Sequence, residues 1–322
     1  MKKLLTKVAI LVAGFTGVAV AQQDPLFTQF MQNKLLYNAG YAGTSGGVCG
    51  VLQFRQQWAG FSGSPQSVAL SLDMPLQNLP IGVGLNVMND KIGPLSTLYI
   101  QAVGSFNKKI GKGTLGIGIT IGMLQKKISS DWIVPEPGKI DPTIPGSYGD
   151  QLSNPALNKI SYDIGFGAFY QIPNNFYVGI SSTHLPSQVI KGDKSVEYQI
   201  SRHYYFMAGK TFQINKWNKI TPNVMVRSDV AATSVDLNLT YMWSDLIWVG
   251  CTYRIVTAVA PMLGFQKSFG GGYTMRVGYS YDVAVAQQVR NNSKGSHEII
   301  LGVCFVPKIK KLTTYGNDRY LD

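Results

Sequence analysis

The sequence predicts an all-β chain, a transmembrane antiparallel β-barrel of about fourteen strands with a short N-terminal segment. Three observations carry that prediction. The chain opens with an export signal, no later apolar run is long enough for a membrane helix, and apolar and small polar residues alternate in segment after segment.

Lys2, Lys3 and Lys7 precede an apolar run from Val8 to Val20, and Ala19-Val20-Ala21 places small residues at both positions a signal peptidase reads. Residues 1–21 are therefore expected to be a signal peptide, with Gln22 leading the mature chain. Gln22 is not a cysteine, so a lipoprotein is not expected. Past Ala21 no apolar run reaches the ~18 residues of a helical span. The longest candidate, Leu115 to Leu124, is broken by Gly116, Gly118 and Gly122. Charged residues make up 14% of the chain, against ~25% in an ordinary soluble domain. The outer membrane of a Gram-negative bacterium is the expected location.

Residues 22–46 form an N-terminal segment, too polar and too Gly-rich near its end to be a strand. Pro25 is placed to begin a short helix through Tyr37, which would set Phe27, Phe30, Met31, Lys34 and Leu35 on one side. The segment is either a periplasmic strap or a plug, since fourteen strands leave a wide interior that something must fill if the pore is shut.

The barrel proper is expected over 47–306. In Ser67–Met74, Val68, Leu70, Leu72 and Met74 oppose Ser67, Ala69, Ser71 and Asp73. In Thr114–Met123, Leu115, Ile117, Ile119 and Ile121 oppose Gly116, Gly118, Thr120 and Gly122. Ser234–Tyr241 and Thr274–Asp282 repeat the pattern. Successive strand side chains point to opposite faces, so each segment has a lipid side and a lumen side. Such segments fall at 48–57, 66–74, 81–88, 96–106, 114–125, 160–171, 175–184, 200–212, 219–228, 233–242, 246–254, 258–266, 273–282 and 297–306. The even number suits a bacterial barrel with both ends in the periplasm. If the first strand runs outward, the longest connections, 126–159, 185–199 and 283–296, all lie outside, and the inner turns are short. Residues 307–322 follow as a periplasmic tail. A soluble β-sandwich would carry Lys and Glu on its second face, not Gly, Ser, Thr and Asn.

Arg55, Asp73, Asp163, Lys210, Arg227, Asp236, Arg254, Arg276, Asp282 and Glu298 lie within these segments at the parity of the small polar face. A lipid-facing Arg or Lys at mid-bilayer costs roughly 2–4 kcal/mol, which directs them inward. Five are basic and five acidic, which predicts a paired lumen network more than a charge-selective pore. The net charge of +12 is spread along the chain. It fits solubility and attraction to lipid headgroups; no basic run is interleaved with aromatics, so nucleic acid is not an expected partner.

Closing the barrel sets the first and last segments side by side, with Cys49 and Cys304 both inward at the periplasmic end, where an oxidising compartment allows a disulfide. Cys251 falls on the lipid face. His184, His203 and His297 are scattered, none with metal-ligand spacing to another, and neither a P-loop nor a nucleophile elbow is present. No enzyme activity, cofactor or metal is expected.

Several stretches carry a family resemblance. Phe30-Met31-Gln32-Asn33, Asn38-Ala39-Gly40-Tyr41-Ala42-Gly43 and Arg55-Gln56-Gln57-Trp58-Ala59-Gly60-Phe61-Ser62-Gly63-Ser64-Pro65 resemble the PorP/SprF family of the type IX secretion system. So do Arg202-His203-Tyr204-Tyr205, Pro222, Gly250, Tyr253-Arg254, Gly278-Tyr279-Ser280-Tyr281-Asp282 and Glu298. The family's usual Asn-Pro-Ala before Tyr-Ala-Gly departs here, Ala39-Gly40 standing in place of Pro-Ala. The resemblance spans the mature chain. It implies an outer-membrane protein that supports protein secretion or cell-surface anchoring of a cognate cargo, a cargo C-terminal domain or a gliding-motility adhesin, alongside other type IX components and outer-membrane lipid.

The outer loop 126–159 holds Pro135, Pro137, Pro142 and Pro145 with Trp132 and Tyr148. It reads as a protein-binding surface or as a pore-constricting lid. Arg55, Gln57, Trp58, Gly60, Trp132 and Tyr148 are the candidate partner-binding residues. A passive porin or solute channel is the alternative function, and a purely structural barrel within the secretion machine is a third.

Overall fold

The structure, a computed structural model, describes residues 24–128, 157–191, 197–229 and 231–306. Its strands are β1 (Val48–Gln56), β2 (Gln66–Pro75), β3 (Ile81–Ile92), β4 (Leu95–Ile110), β5 (Gly113–Ile128), β6 (Leu157–Ile172), β7 (Phe176–Thr183), β8 (Val189–Lys191), β9 (Glu197–Gln199), β10 (His203–Lys210), β11 (Phe212–Gln213), β12 (Asn218–Ser228), β13 (Thr233–Trp243), β14 (Ile247–Arg254), β15 (Ala258–Ser268), β16 (Tyr273–Ala284) and β17 (Ser296–Phe305). Antiparallel ladders join consecutive wall strands. β10 pairs with both β7 and β12, and β17 pairs with β1, so the sheet closes on itself. Setting aside the separate β8–β9 hairpin and the two-residue β11, which only extends the edge of β12, fourteen strands form the wall, as alternation predicts.

Alternation becomes burial. Ile117, Ile119, Ile121, Leu237, Leu239, Leu263, Val277 and Leu301 stand on the outer surface, while Thr120, Asp236, Asn238 and Ser280 are enclosed. Aromatics ring both ends of the apolar band. Phe106, Phe212, Trp217, Trp243 and Tyr273 lie towards the short-turn end, and Tyr162, Tyr204, Tyr253 and Tyr279 towards the other. Such girdles sit at the two membrane interfaces.

β3 and β4 run longer than the alternation suggests. The expected connection 89–95 shrinks to a turn at Gly93-Pro94, and that at 107–113 to one at Gly111-Lys112. Beyond the bilayer a ladder needs no apolar face, so Asn89, Asp90 and Lys91 continue it with polar side chains. Lys210 departs from its expected place. It shares the outward parity of Tyr204 and Phe206, and at the end of β10 its amine reaches Asn175 in the adjacent turn. The connection 283–296 contains a short helix, Gln287–Asn292.

Candidate functional site

The lumen is occupied by the N-terminal segment. Phe27, Thr28, Gln29, Phe30, Asn33, Leu35, Tyr37, Asn38, Ala39 and Ala42 are all buried. The helix expected over 25–37 does not form. Two 3-10 turns, Phe30–Gln32 and Ala39–Tyr41, and further hydrogen-bonded turns at 35–37 and 42–45 break its path. Helical spacing would turn the apolar side chains to one wall, whereas here they radiate. Phe27 packs with Ala69 and Met88, Phe30 with Phe169, Tyr177 and Met225, and Leu35 with Val103.

Wall side chains replace the hydrogen bonds a helix would have made internally. The Thr28 and Gln29 N–H groups donate to the Glu298 carboxylate at 2.7 and 2.8 Å. The Gly43 N–H donates to Asp73 at 2.9 Å. Ser181 donates to Tyr37 O at 2.6 Å, Asn107 to Ala42 O at 2.9 Å, and Arg276 to Gln32 O at 2.9 Å. Wall glycines admit the segment's backbone directly. A Cβ on Gly116 would lie 2.0 Å from Gly40 O, and one on Gly82 the same distance from Ala42 O.

Several inward charges form one cluster. Arg55 contacts Asp282 at 2.7 Å and Glu298 at 3.2 Å. Arg254 reaches Asp236 at 3.0 Å and Asp282 at 3.7 Å, and Arg227 pairs with Asp236. Thr28 Oγ1 donates to Asp282 and accepts from Arg55, fastening the segment into this cluster. Asp73, Asp163 and Arg276 stand apart from it, each with its own partner: Gly43, His184 and Gln32.

A second polar cluster lies at the outer end of the lumen, where β7 finishes and β10 starts. His184 Nδ1 is 2.9 Å from Asp163, and its Nε2 is 3.1 Å from Asp24. Tyr205 donates to Asp24 at 2.5 Å, and Gln101 to Asp163 at 2.6 Å. Asp24 and His184 lie outside the strands. Burial opposes charge on Asp24, but His203 and His184 outweigh it and hold the carboxyl well below its usual range. Burial likewise opposes charge on His184, yet Asp24 and Asp163 raise its pKa to about 10.

The fold brings together two of the three histidines that lie scattered along the chain. His184 and His203 are far apart along the chain, but β7–β10 pairing sets His203 opposite Thr183, and the two rings come within 5.4 Å. Asp24, His184 and His203 together form a group with metal-ligating chemistry.

Three of the six candidate partner residues, Arg55, Gln57 and Trp58, come together at one cavity. Arg55 is 2% exposed and ion-paired to Asp282 and Glu298, yet it lines the same cavity as Gln57 and Trp58. Gln57, Trp58 and Gly60 stand at the outer rim, where Gln57 and Trp58 line a cavity of about 440 Å³ with Arg55, Arg254 and Val256. Trp132 and Tyr148 lie outside the described residues. Cys49 and Cys304 face each other across the β1–β17 ladder and are joined as a disulfide, and Cys251 is a free thiol on the outer surface.

These features define a class: an outer-membrane β-barrel of a Gram-negative bacterium whose lumen holds its own N-terminal segment. The chain belongs to the PorP/SprF family, whose model, described as type IX secretion system membrane protein PorP/SprF, matches residues 19–303. No curated protein is a match. Among solved structures, the toluene transporter TbuX of Ralstonia pickettii is 11% identical, with 85% of this chain and 93% of that chain covered at a TM-score of 0.47. The CymD monoaromatic hydrocarbon channel is 12% identical, with 91% and 95% covered and a TM-score of 0.46. The translocator domain of the autotransporter NalP from Neisseria meningitidis is 13% identical, with 86% and 92% covered and a TM-score of 0.42.

Proposed function

We propose that this barrel is a closed anchor: it supports export or surface retention of one cognate type IX cargo, such as a gliding adhesin, by binding the cargo's C-terminal domain at its outer mouth. The observation that carries the reading is the filled lumen. A solute channel needs a wetted path, whereas segment 24–47 is seated by hydrogen bonds to several walls of the barrel. The rim cavity beside Trp58 gives a partner somewhere to dock, with exposed Trp58 and Val256 as apolar contacts.

Two measurements test this. The intact protein should conduct poorly in planar bilayers, and removal of residues 22–43 should raise conductance; a large steady conductance in the intact protein would favour the porin reading. Deleting residues 132–150 should leave a folded barrel but reduce retention of one surface protein. Unchanged display of every surface cargo would count against anchoring.

A further inference from the structure

The Asp24, His184 and His203 group stands where the outer end of the lumen segment meets the wall, and it gathers three metal-ligating side chains. We propose that it binds one divalent transition-metal ion, Zn2+ or a close relative, between the lumen segment and the barrel wall. The ligating atoms of the three side chains already lie within 4.8 Å of one another. Two ligands of a tetrahedral Zn2+ stand about 3.3 Å apart when each bond is about 2.0–2.1 Å. Asp24 Oδ1 and His184 Nε2 are already 3.1 Å apart, whereas His203 Nδ1 is 4.0 Å from Asp24 Oδ2, so completing the set needs His203 to turn toward the carboxylate.

The surrounding bonds orient the His184 imidazole for ligation. His184 places Nδ1 against the Asp163 carboxylate at 2.9 Å, which leaves Nε2 as the atom aimed at Asp24. His203 places Nδ1 against Ser201 O at 3.1 Å, while its Nε2 accepts the Asp24 backbone N–H at 3.3 Å, a bond that an ion ligated through Nε2 would replace. A metal-ligating histidine ordinarily gives its second ring N–H to a carboxylate or a backbone carbonyl, which fixes the tautomer and raises ligand basicity. His184 has the carboxylate kind of partner, and His203 Nδ1 has the carbonyl kind. Gln101 in turn holds Asp163, at 2.6 Å.

Two histidines and one carboxylate suit Zn2+, Fe2+ and similar ions, with a further position open to water or a small anion. That position is available in a cavity of about 340 Å³ that Asp24, His184 and His203 help to line. The three ligands come from the lumen segment, the end of β7 and the start of β10. A bound ion therefore ties the segment's outer end to two strands at once.

The test uses tag-free mature protein extracted from outer membranes in detergent and stripped with a chelator. Zn2+ is titrated against a chromophoric competitor, and Co2+ is added while visible absorption is followed. The intact protein should bind one equivalent of Zn2+ and develop Co2+ d–d bands. His203→Ala and Asp24→Asn should lose more than about 100-fold in affinity, beyond the second-sphere range, and lose the bands. Asp163→Asn should weaken Zn2+ by about 10- to 100-fold and keep a Co2+ spectrum, as an orienting group does. Heat-dependent gel migration reports whether each barrel is folded; Asp24→Asn alters no wall strand, so it carries the test if a histidine variant fails to fold. Failure of the intact protein to bind Zn2+, which leaves the cluster an ion pair only, would overturn the proposal. So would equal binding by folded Asp24→Asn.

Discussion

Replacing Glu298 by glutamine changes one oxygen to an amide nitrogen at the point where the lumen segment is gripped by two backbone bonds. In the native protein that carboxylate is fully enclosed and accepts from Thr28 N–H, Gln29 N–H, Gln53 and Arg55 at 2.7, 2.8, 3.2 and 3.2 Å. Glutamine keeps one acceptor, so one of the two backbone N–H groups is left facing an NH2. A hydrogen bond to a charged group contributes about 1.5–3 kcal/mol, and an orphaned buried donor carries a penalty of similar size. Losing one such bond and weakening its neighbour removes about 3 kcal/mol of seating energy. At about 1.4 kcal/mol per tenfold, the ratio of seated to released segment falls by about two decades. The wall itself keeps Arg55 paired with Asp282, so the strands should still close. The assay has two readouts: open-event frequency in planar bilayers, and tryptic cleavage after Lys34, which is enclosed while the segment is seated and stacks on Tyr177 at 4.1 Å. Expected are roughly hundredfold more frequent openings and a cleavable Lys34. A Glu298→Gln barrel as quiet and as protected as the native one would refute the claim that this carboxylate holds the segment.

Gly116→Leu places a side chain where Gly40 O already touches the wall, so it should displace the segment and raise conductance while heat-dependent gel migration persists; a closed variant would show that the backbone approach is dispensable. Leu239→Arg puts a charge on the lipid face, and should lower folding yield into lipid vesicles by a free energy of about 2–4 kcal/mol if the residue sits near mid-bilayer. Unaltered folding there would argue against the assigned outer surface. In protein denatured in detergent and never exposed to reductant, a maleimide should label Cys251 alone, and labelling of Cys49 or Cys304 would show the seam unlinked.

The wall was legible in the sequence because lipid and lumen make opposite demands on successive residues. Ile117, Ile119 and Ile121 could have only one environment, and Gly116, Gly118 and Thr120 the other. Pairing across the seam was legible too, since closing a ring of even strand number leaves the first and last as neighbours; β1 and β17 align Arg55 with Glu298 and Cys49 with Cys304. Strand ends were read short where polar residues continue a ladder past the membrane, as in β3 and β4. The segment's shape was misread because 3.6-residue spacing assumes a single apolar wall, and Phe27, Phe30 and Leu35 face three. Spacing along the chain does not reveal the outer cluster, because its histidines are 19 residues apart in sequence. The available signal was two-dimensional: His184 and His203 stand at the same end of adjacent strands, and register, not sequence distance, brings them together.

The path of the N-terminal segment also constrains how the molecule is put together. From β1 at the short-turn end it runs back up the lumen, past Asp73 and Glu298, to Asp24 beside the outer ends of β7 and β10. Thr28 and Gln29 are among the earliest described residues, and the groups that grip them, Asp282 and Glu298, come from the last two strands. A ring closed beforehand would have to admit Phe27, Phe30 and Tyr37 end-on through its mouth. Closure around a segment already in place avoids that passage, and makes the segment a mandrel on which β16 and β17 meet β1. On that route no shorter piece of the chain can rehearse the final state: contacts more than 250 residues apart must form together, so the last step of assembly waits for the last strand.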